Sequence, residues 1–333
     1  MKQRGQWRQM IPKGKYNCNI KTDSSSQIVK KGFLYELKRN RTLFIMLLPA
    51  VLYYLIFSYL PMTGIIIAFQ RFHYDRFFLF NPWVGFDNFK FFFNSGKAWL
   101  LTKNTLLYNI AFITTGITVQ VVLALIFSEL KGKYYKKITQ SLMFLPYFIS
   151  WVVVGAFIYN IFHYEYGTLN NVLSSIGAEP VDVYGTPGAW KYILVFFNIW
   201  KYAGYGSVVY LAAIMGISPE LYESAELDGA NIFQRISRIT LPMIKQTIIV
   251  TTLLQIGGIM RGNFDLFYQI IGNNGLLFDA TDVIDTFVFR TLTTSPELGM
   301  PAAAGLYQQV LGFVIIMTVN YIVRKINEDN ALF

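Results

Sequence analysis

Read for where apolar and polar positions fall, the chain is a series of long apolar runs separated by polar connections. Six runs reach or approach the roughly 18–20 residues that a helix needs to cross a bilayer. They fall at about residues 42–69, 104–127, 138–162, 192–214, 244–260 and 302–323. Inside lipid the backbone must satisfy its own hydrogen bonds, so only helices and closed barrels span it. These runs lack the alternation of barrel strands, which predicts helices. The expectation is an all-α membrane protein with six transmembrane helices. It divides into a polar tail (1–41) too poor in apolar residues to build a core, a membrane domain (42–325) and a short tail (326–333). No fixed-period repeat is visible.

Composition agrees: 54% of residues are hydrophobic and 14% charged, which moves the chain away from soluble proteins. Charge placement then sets orientation. Lys and Arg crowd the N-terminal tail (Lys2, Arg4 and Arg8 through Lys38, Arg39 and Arg41). They recur after the second run (Lys131, Lys133, Lys136, Lys137), before the fifth (Arg235, Arg238) and after the sixth (Arg324, Lys325). Residues 163–190 hold none. With six spans all these basic segments share one side, and the positive-inside rule makes it cytoplasmic, both termini included. The connection after the first run runs against the rule, with Arg71, Arg76, Lys90, Lys97 and Lys103 outside. The net charge of +10 lies mainly in the tail, where it reads as an orientation signal near anionic lipid rather than a nucleic-acid site. The tail is too long and polar for a cleavable signal peptide. Cys18 is the sole cysteine, which rules out an internal disulfide.

Residues 222–242, YESAELDGANIFQRISRITLP, are a polar, Gly-punctuated insert between the fourth and fifth runs. Ser218 can cap a helix whose first position is Pro219, with Glu220 and Glu223 near the positive end of its dipole. Asp228-Gly229 stops it, and Asn231 with Gln234 opens a second helix through a capping box. There Ile232, Ile236 and Ile239 recur at helical spacing, with Arg235 and Arg238 away from them. Pro242 is expected to turn the chain into the fifth span. The bland reading is a generic amphipathic connection. The spacing of Glu223, Ala225, Gly229, Ile239 and Leu241-Pro242 resembles the EAA loop of ABC importer permeases, with Ser224 where that family usually has alanine. The resemblance implies a type I ABC importer permease fold with cytoplasmic coupling helices. It implies that Glu223, Ala225, Asp228, Gly229, Ile239, Leu241 and Pro242 couple the chain to ATPase subunits. A phosphate-cradling loop needs Gly-Lys followed by Ser or Thr. Gly96-Lys97 precedes Ala98 and Gly132-Lys133 precedes Tyr134, so ATP-Mg is expected on partner subunits, with no cofactor in this chain.

Outside the loop, shorter segments are similar to the carbohydrate-uptake branch, within it the subgroup for complex oligosaccharides and polysaccharide fragments. They are Leu60-Pro61 with Ile67-Ala68-Phe69, residues 282–286 (DVIDT), residues 302–306 (AAAGL), and Gly167, Asn170 and Leu173 as G-x-x-N-x-x-L. The branch implies a second, non-identical permease subunit, two ATPase copies and an extracellular solute-binding protein in a bacterial cell membrane. It also implies alternating access driven by ATP.

Intramembrane polar residues are costly and often functional. Lys201, Tyr202 and Tyr205 in the fourth run, and Gln255, Arg261, Asn263 and Asp265 at the end of the fifth, are candidates for the substrate path. Gly257, Gly258 and Gly262 can break the helix there and expose backbone to water. One reading has these side chains meet sugar hydroxyls, with Tyr202, Tyr205 or Phe264 stacking on rings. The other has interhelical hydrogen bonds, an Arg261–Asp265 pair and a snorkelling Lys201. His73 and His163 suggest no metal site, and no G-x-S-x-G nucleophile motif occurs, so no enzymatic activity is expected. A non-sugar ABC substrate and an ion-coupled secondary transporter stay as alternatives; the latter predicts inverted repeats.

Overall fold

The computed structural model describes residue 35 and residues 38–326. Most of the basic tail, Cys18 included, and residues 327–333 lie outside the described residues. The chain divides into two compact units between Met62 and Thr63. Regular structure among the described residues is helical throughout, apart from a single bridge between Gln70 and Trp83.

The first unit holds helix α1 (Arg41–Tyr54), a π turn (Leu55–Tyr59) and the first residues of a 3-10 helix (Leu60–Phe69), whose remainder belongs to the second unit. Its apolar side chains point outward, from Leu43 to Leu60. In lipid an outward apolar surface is the expected arrangement.

The second unit contains α2 (Asp87–Asn94), α3 (Lys97–Glu129), α4 (Lys133–Phe148), α5 (Trp151–Phe162), α6 (Thr168–Ser175) and α7 (Pro187–Met215). The polar, Gly-punctuated insert follows as α8 (Pro219–Leu227) and α9 (Ile232–Arg235). Then come α10 (Leu241–Ile256), α11 (Phe264–Ile271), α12 (Phe278–Thr281), α13 (Ile284–Thr294) and α14 (Gly299–Ile326). The most extensive pairing is α3 with α7. Three apolar clusters hold the unit together. One centres on Trp151, Trp190 and Phe267, a second on Phe127, Tyr210 and Ile244, a third on Phe92, Phe287 and Ala304.

Arg41–Phe69, Lys97–Glu129, Ile232–Ile256 and Gly299–Lys325 are each long and apolar enough to cross a membrane. The fourth expected span, α7, is 29 residues long, about 43 Å, but its interior carries Asn198 and Lys201.

The third expected span differs from its reading as one helix. α4 and α5 meet at a 91° bend. Pro146 has no N–H and weakens the last turn of α4, and Ile149 and Ser150 are extended. Ser150 then caps α5 by accepting the N–H of Val153 at 3.4 Å. The fifth span also differs. Pro242 does not turn the chain; α9 continues through a π turn (Ile236–Thr240) into α10 as one helix. The wider turn relieves the clash between a proline ring and the carbonyl four residues back. The first unit uses the same device, its π turn ending two residues before Pro61 as the other ends two before Pro242.

Lys201 repairs the α4–α5 break. It is 5% exposed. Its Nζ donates to the carbonyls of Pro146 (3.3 Å), Tyr147 (3.1 Å) and Ile149, and lies 5.2 Å from the Trp151 ring centre. Beside it, Gly204 meets the backbone carbonyl of Met143 where any Cβ would stand, so α4 and α7 touch backbone to backbone. Small residues permit such contacts between membrane helices. Lys201→Met leaves these carbonyls unpaired and is expected to cost about 2–3 kcal/mol. Gly204→Val is expected to separate α4 from α7. Thermal unfolding of the purified detergent complex checks both; a midpoint for Lys201→Met within a degree of wild type would contradict this role.

Candidate coupling surface and translocation cavity

The coupling loop forms at one end of α7. Pro219 opens α8, with Glu220 in its first turn. Ser218 stands at the cap position but its side chain makes no capping hydrogen bond, contrary to the sequence expectation. Gly229 has φ of +79°, a conformation glycine adopts freely, and it ends the helix after Asp228. Asn231 accepts the Gln234 N–H at 2.9 Å while Gln234 accepts the Asn231 N–H at 2.8 Å, completing the capping box.

Two features depart from the expected polar and apolar faces. Arg235 does not point away; its side chain is 12% exposed and pairs with Glu226 of α8 and, at 3.6 Å, with Glu129 at the end of α3. This knot ties the two short helices to each other and to a span. Ile232 stays half exposed, whereas Ile239 and Leu241 pack into the cluster around Tyr210 and Ile244. Tyr222 and Thr240 share a 3.0 Å hydrogen bond across the loop. Of the seven residues read as coupling residues, Ile239 and Leu241 therefore anchor the loop, Ala225 is half-buried, and Glu223, Asp228, Gly229 and Pro242 are exposed. Leu227 (90% exposed) and Phe233 (82%) stand out beside them, an apolar pair the sequence reading passed over.

At mid-length of α7 lies a cavity of about 440 Å³. α3 contributes Asn109 and Gln120, α7 contributes Asn198, Tyr202, Tyr205 and Tyr210, and α10 contributes Thr251 and Gln255. The break after α10 supplies Arg261 and Asn263. α10 stops at Ile256, a turn follows through Met260, and Asn263 caps α11 by accepting the Leu266 N–H at 3.4 Å. Side chains of three helices complete the exposed backbone. Gln308 donates to the Met260 carbonyl at 2.6 Å, Asn109 to the Arg261 carbonyl at 3.2 Å, and Asp285 accepts the Gly262 N–H at 2.6 Å. Gln308 also donates to Asp285 at 2.9 Å.

Of the seven path candidates, the cavity gathers Tyr202, Tyr205, Gln255, Arg261 and Asn263. Lys201 is turned to the α4–α5 bend. Asp265 sits in the first turn of α11, outside the lining, and makes no ion pair with Arg261. Phe264 stacks on Tyr268 and meets Phe289 instead of the cavity. Tyr205 lies flat on Tyr147 of α4, with ring centres 4.0 Å apart and planes 6° apart. Sequence reading missed Asn109, Gln120 and Asn198. The signal was there, since each is an amide inside an apolar run. The Tyr210–Thr251 hydrogen bond (2.8 Å) joins residues 41 apart and had no such signal. The lining is thus aromatic faces and amides with one cation, suited to a hydroxyl-rich ligand that carries negative charge.

Residues 116–328 match the family of binding-protein-dependent transport system inner membrane components. The protein LplB of Bacillus subtilis is 33% identical, over 93% of this chain and 97% of its own. The polygalacturonan/rhamnogalacturonan transport system permease protein YteP of the same bacterium is 30% identical, over 90% and 93%. Among solved structures, a chain of a bacterial ABC transporter involved in import of the acidic polysaccharide alginate superposes with a TM-score of 0.80. It is 36% identical and matches 88% of this chain and 99% of its own. A bacterial alginate ABC transporter in complex with its alginate pentasaccharide-bound periplasmic protein gives 0.79 and 35%, over 89% and 98%. By sequence over nearly its whole length, and by a fold that is that of a type I ABC importer permease, the chain belongs to the family of binding-protein-dependent transport system inner membrane components.

Proposed function

We propose that this chain forms half of the translocation path of an ATP-driven importer for oligosaccharides, acidic ones among them. The observation that carries this reading is the cavity between α3, α7 and the break after α10, lined by amides, tyrosines and the single cation Arg261. Amides donate to and accept from hydroxyls, tyrosine rings cover the apolar face of a sugar, and a guanidinium can hold a carboxylate through two parallel hydrogen bonds. Import of alginate by one structural neighbour, and the pectic substrates in the name of YteP, favour a uronic-acid chain. A non-sugar substrate has less support, because the lining offers one charge and many hydroxyl partners.

The chain itself performs transport and no chemistry; ATP-Mg is bound and hydrolysed by partner ATPases. A second, non-identical permease completes the path, and an extracellular binding protein delivers the sugar. The coupling loop and both termini are cytoplasmic, in line with the basic segments that flank them. α8 seats in the ATPase, with Glu223, Asp228 and Gly229 toward the partner. ATP-driven closure of the ATPases then pulls the loop as one piece and opens the cavity outward. Hydrolysis resets it.

Two outcomes are expected in proteoliposomes holding the complete importer. Gly229→Asp or Glu223→Lys lowers uptake at least tenfold and abolishes ATPase stimulation by loaded binding protein; uptake at wild-type level in both would defeat the coupling role. Arg261→Gln lowers uptake of galacturonate or alginate oligosaccharides about tenfold or more, as expected for one lost charge-assisted contact, and lowers uptake of neutral arabino-oligosaccharides far less. Equal loss for both classes would show that Arg261 does not read charge.

A further inference from the structure

A second cavity, of about 600 Å³, lies between α5, the connection that follows it and the end of α11. Its polar lining includes Tyr159, Asn160, His163, Asp182, Tyr184 and Gln269. It sits toward the start of α7, whereas the coupling loop sits at the end of that 29-residue helix. It is therefore on the outer side in the orientation proposed above.

The shape of this cavity is built in. Asn170, buried in α6, donates to the carbonyls of Tyr164 (2.9 Å) and Val181 (3.1 Å) and accepts the Val181 N–H (2.9 Å). Trp190 donates to the Val183 carbonyl at 2.9 Å. These bonds fix both strands of the connection that carry His163 and Tyr184. On the opposite wall the Gln269 backbone abuts Gly155, so α11 packs tightly against α5.

The fixed walls leave hydrogen-bonding groups without partners. The Tyr184 hydroxyl is buried and bonds to nothing among the described residues. Burial, with Tyr159 nearby, pushes that phenol up to about 12, so at neutral pH it keeps its proton to donate. The Gln269 amide has no hydrogen-bond partner among the described residues either. His163 accepts the Glu165 N–H at Nδ1 (3.2 Å), which leaves Nε2–H to donate. Asp182 uses Oδ1 on the Gly185 N–H (2.8 Å), and Asn160 uses its N–H on the Ala156 carbonyl (2.8 Å), so each keeps an acceptor oxygen. Around these groups stand aromatic rings: Tyr159 lies edge-on to His163 and 6.0 Å from Tyr184. Donors, acceptors and ring faces in one pocket match a saccharide ring. With no Lys or Arg in the lining, the pocket does not suit a phosphate, and its polarity does not suit a lipid chain.

The two cavities lie along one line of structure. Asn263 caps α11 from the central cavity, and Gln269, six residues on and about 9 Å along that helix, lines the second. We propose that the second cavity is an outer saccharide subsite. It binds one ring of the chain through its hydroxyls while the leading end occupies the central cavity, and so favours longer oligosaccharides. This rests on the oligosaccharide reading of the central cavity.

The test compares uptake of pentasaccharides and disaccharides of galacturonate, alginate and arabinose by the complete importer in proteoliposomes. Tyr184→Phe and Gln269→Ala are each expected to lower the ratio of pentasaccharide to disaccharide uptake about fivefold, the effect of one lost hydrogen bond. An unchanged ratio in both variants, or equal loss for both lengths, overturns the outer subsite while leaving the central one intact. If the wild-type importer accumulates none of the six sugars, the oligosaccharide reading fails and takes the outer subsite with it.

Discussion

A helix can be interrupted inside a membrane only where something else completes the backbone it releases, because lipid offers no hydrogen bonds. That constraint governs the centre of this protein. The α4–α5 bend frees carbonyls at a helix C-terminus, where the dipole is negative, and the Lys201 ammonium covers them. The α10–α11 break frees groups of both kinds, and it takes an acceptor, Asp285, together with donors from Asn109 and Gln308. In each case the sign of the repairing group follows from which end of the backbone is exposed. The second break brings Arg261 and Asn263 to the cavity wall, and α4 backs that wall where Tyr147 stacks on Tyr205.

The same helices that line the cavity end at the coupling loop. α7 carries Asn198, Tyr202 and Tyr205 and runs on without a break to Met215, three residues before Ser218. α10 carries Thr251 and Gln255 and begins as the continuation of α9. Arg235 pairs with acidic residues of α8 and α3, and Tyr222 bonds Thr240. Neither short helix can shift without the other. A displacement of the loop is therefore passed to two walls of the cavity at once, through helices whose backbone bonds keep their length nearly fixed.

Much of this could be read from the residues. The apolar runs located the membrane helices, and Gly229 with the Asn231–Gln234 pair located the ends of the two short ones, because those signals act over a few residues. The 91° bend was harder. Pro146 and Ser150 were visible, but a proline in a membrane helix is compatible with a mild kink, and the lysine that stabilises a full break lies 55 residues further on. Arg235 was misread for a similar reason. Helical spacing gave its face, while its partner Glu129 belongs to a span more than 100 residues earlier. The G-x-x-N-x-x-L pattern carried a resemblance but no structural role for its residues. In the fold its Asn170 closes three hydrogen bonds that shape a whole connection.

Intramembrane polar residues thus fall into two groups that sequence alone merges. Lys201, Gln308 and Asp285 are occupied by backbone groups that a break would otherwise leave bare. Tyr202, Gln255 and Arg261 are not occupied in that way: among the described residues the Arg261 guanidinium forms no ion pair, while its backbone N–H donates to Gly258 and its carbonyl accepts from Asn109. The separation follows from counting. Each break releases a definite set of N–H and C=O groups, and the polar side chains nearest to them are assigned first. What is left over, facing a cavity, is free to meet a solute. By that count Lys201, a lysine inside a membrane run, is structural, while the amides and tyrosines that line the cavity keep side-chain groups for a solute.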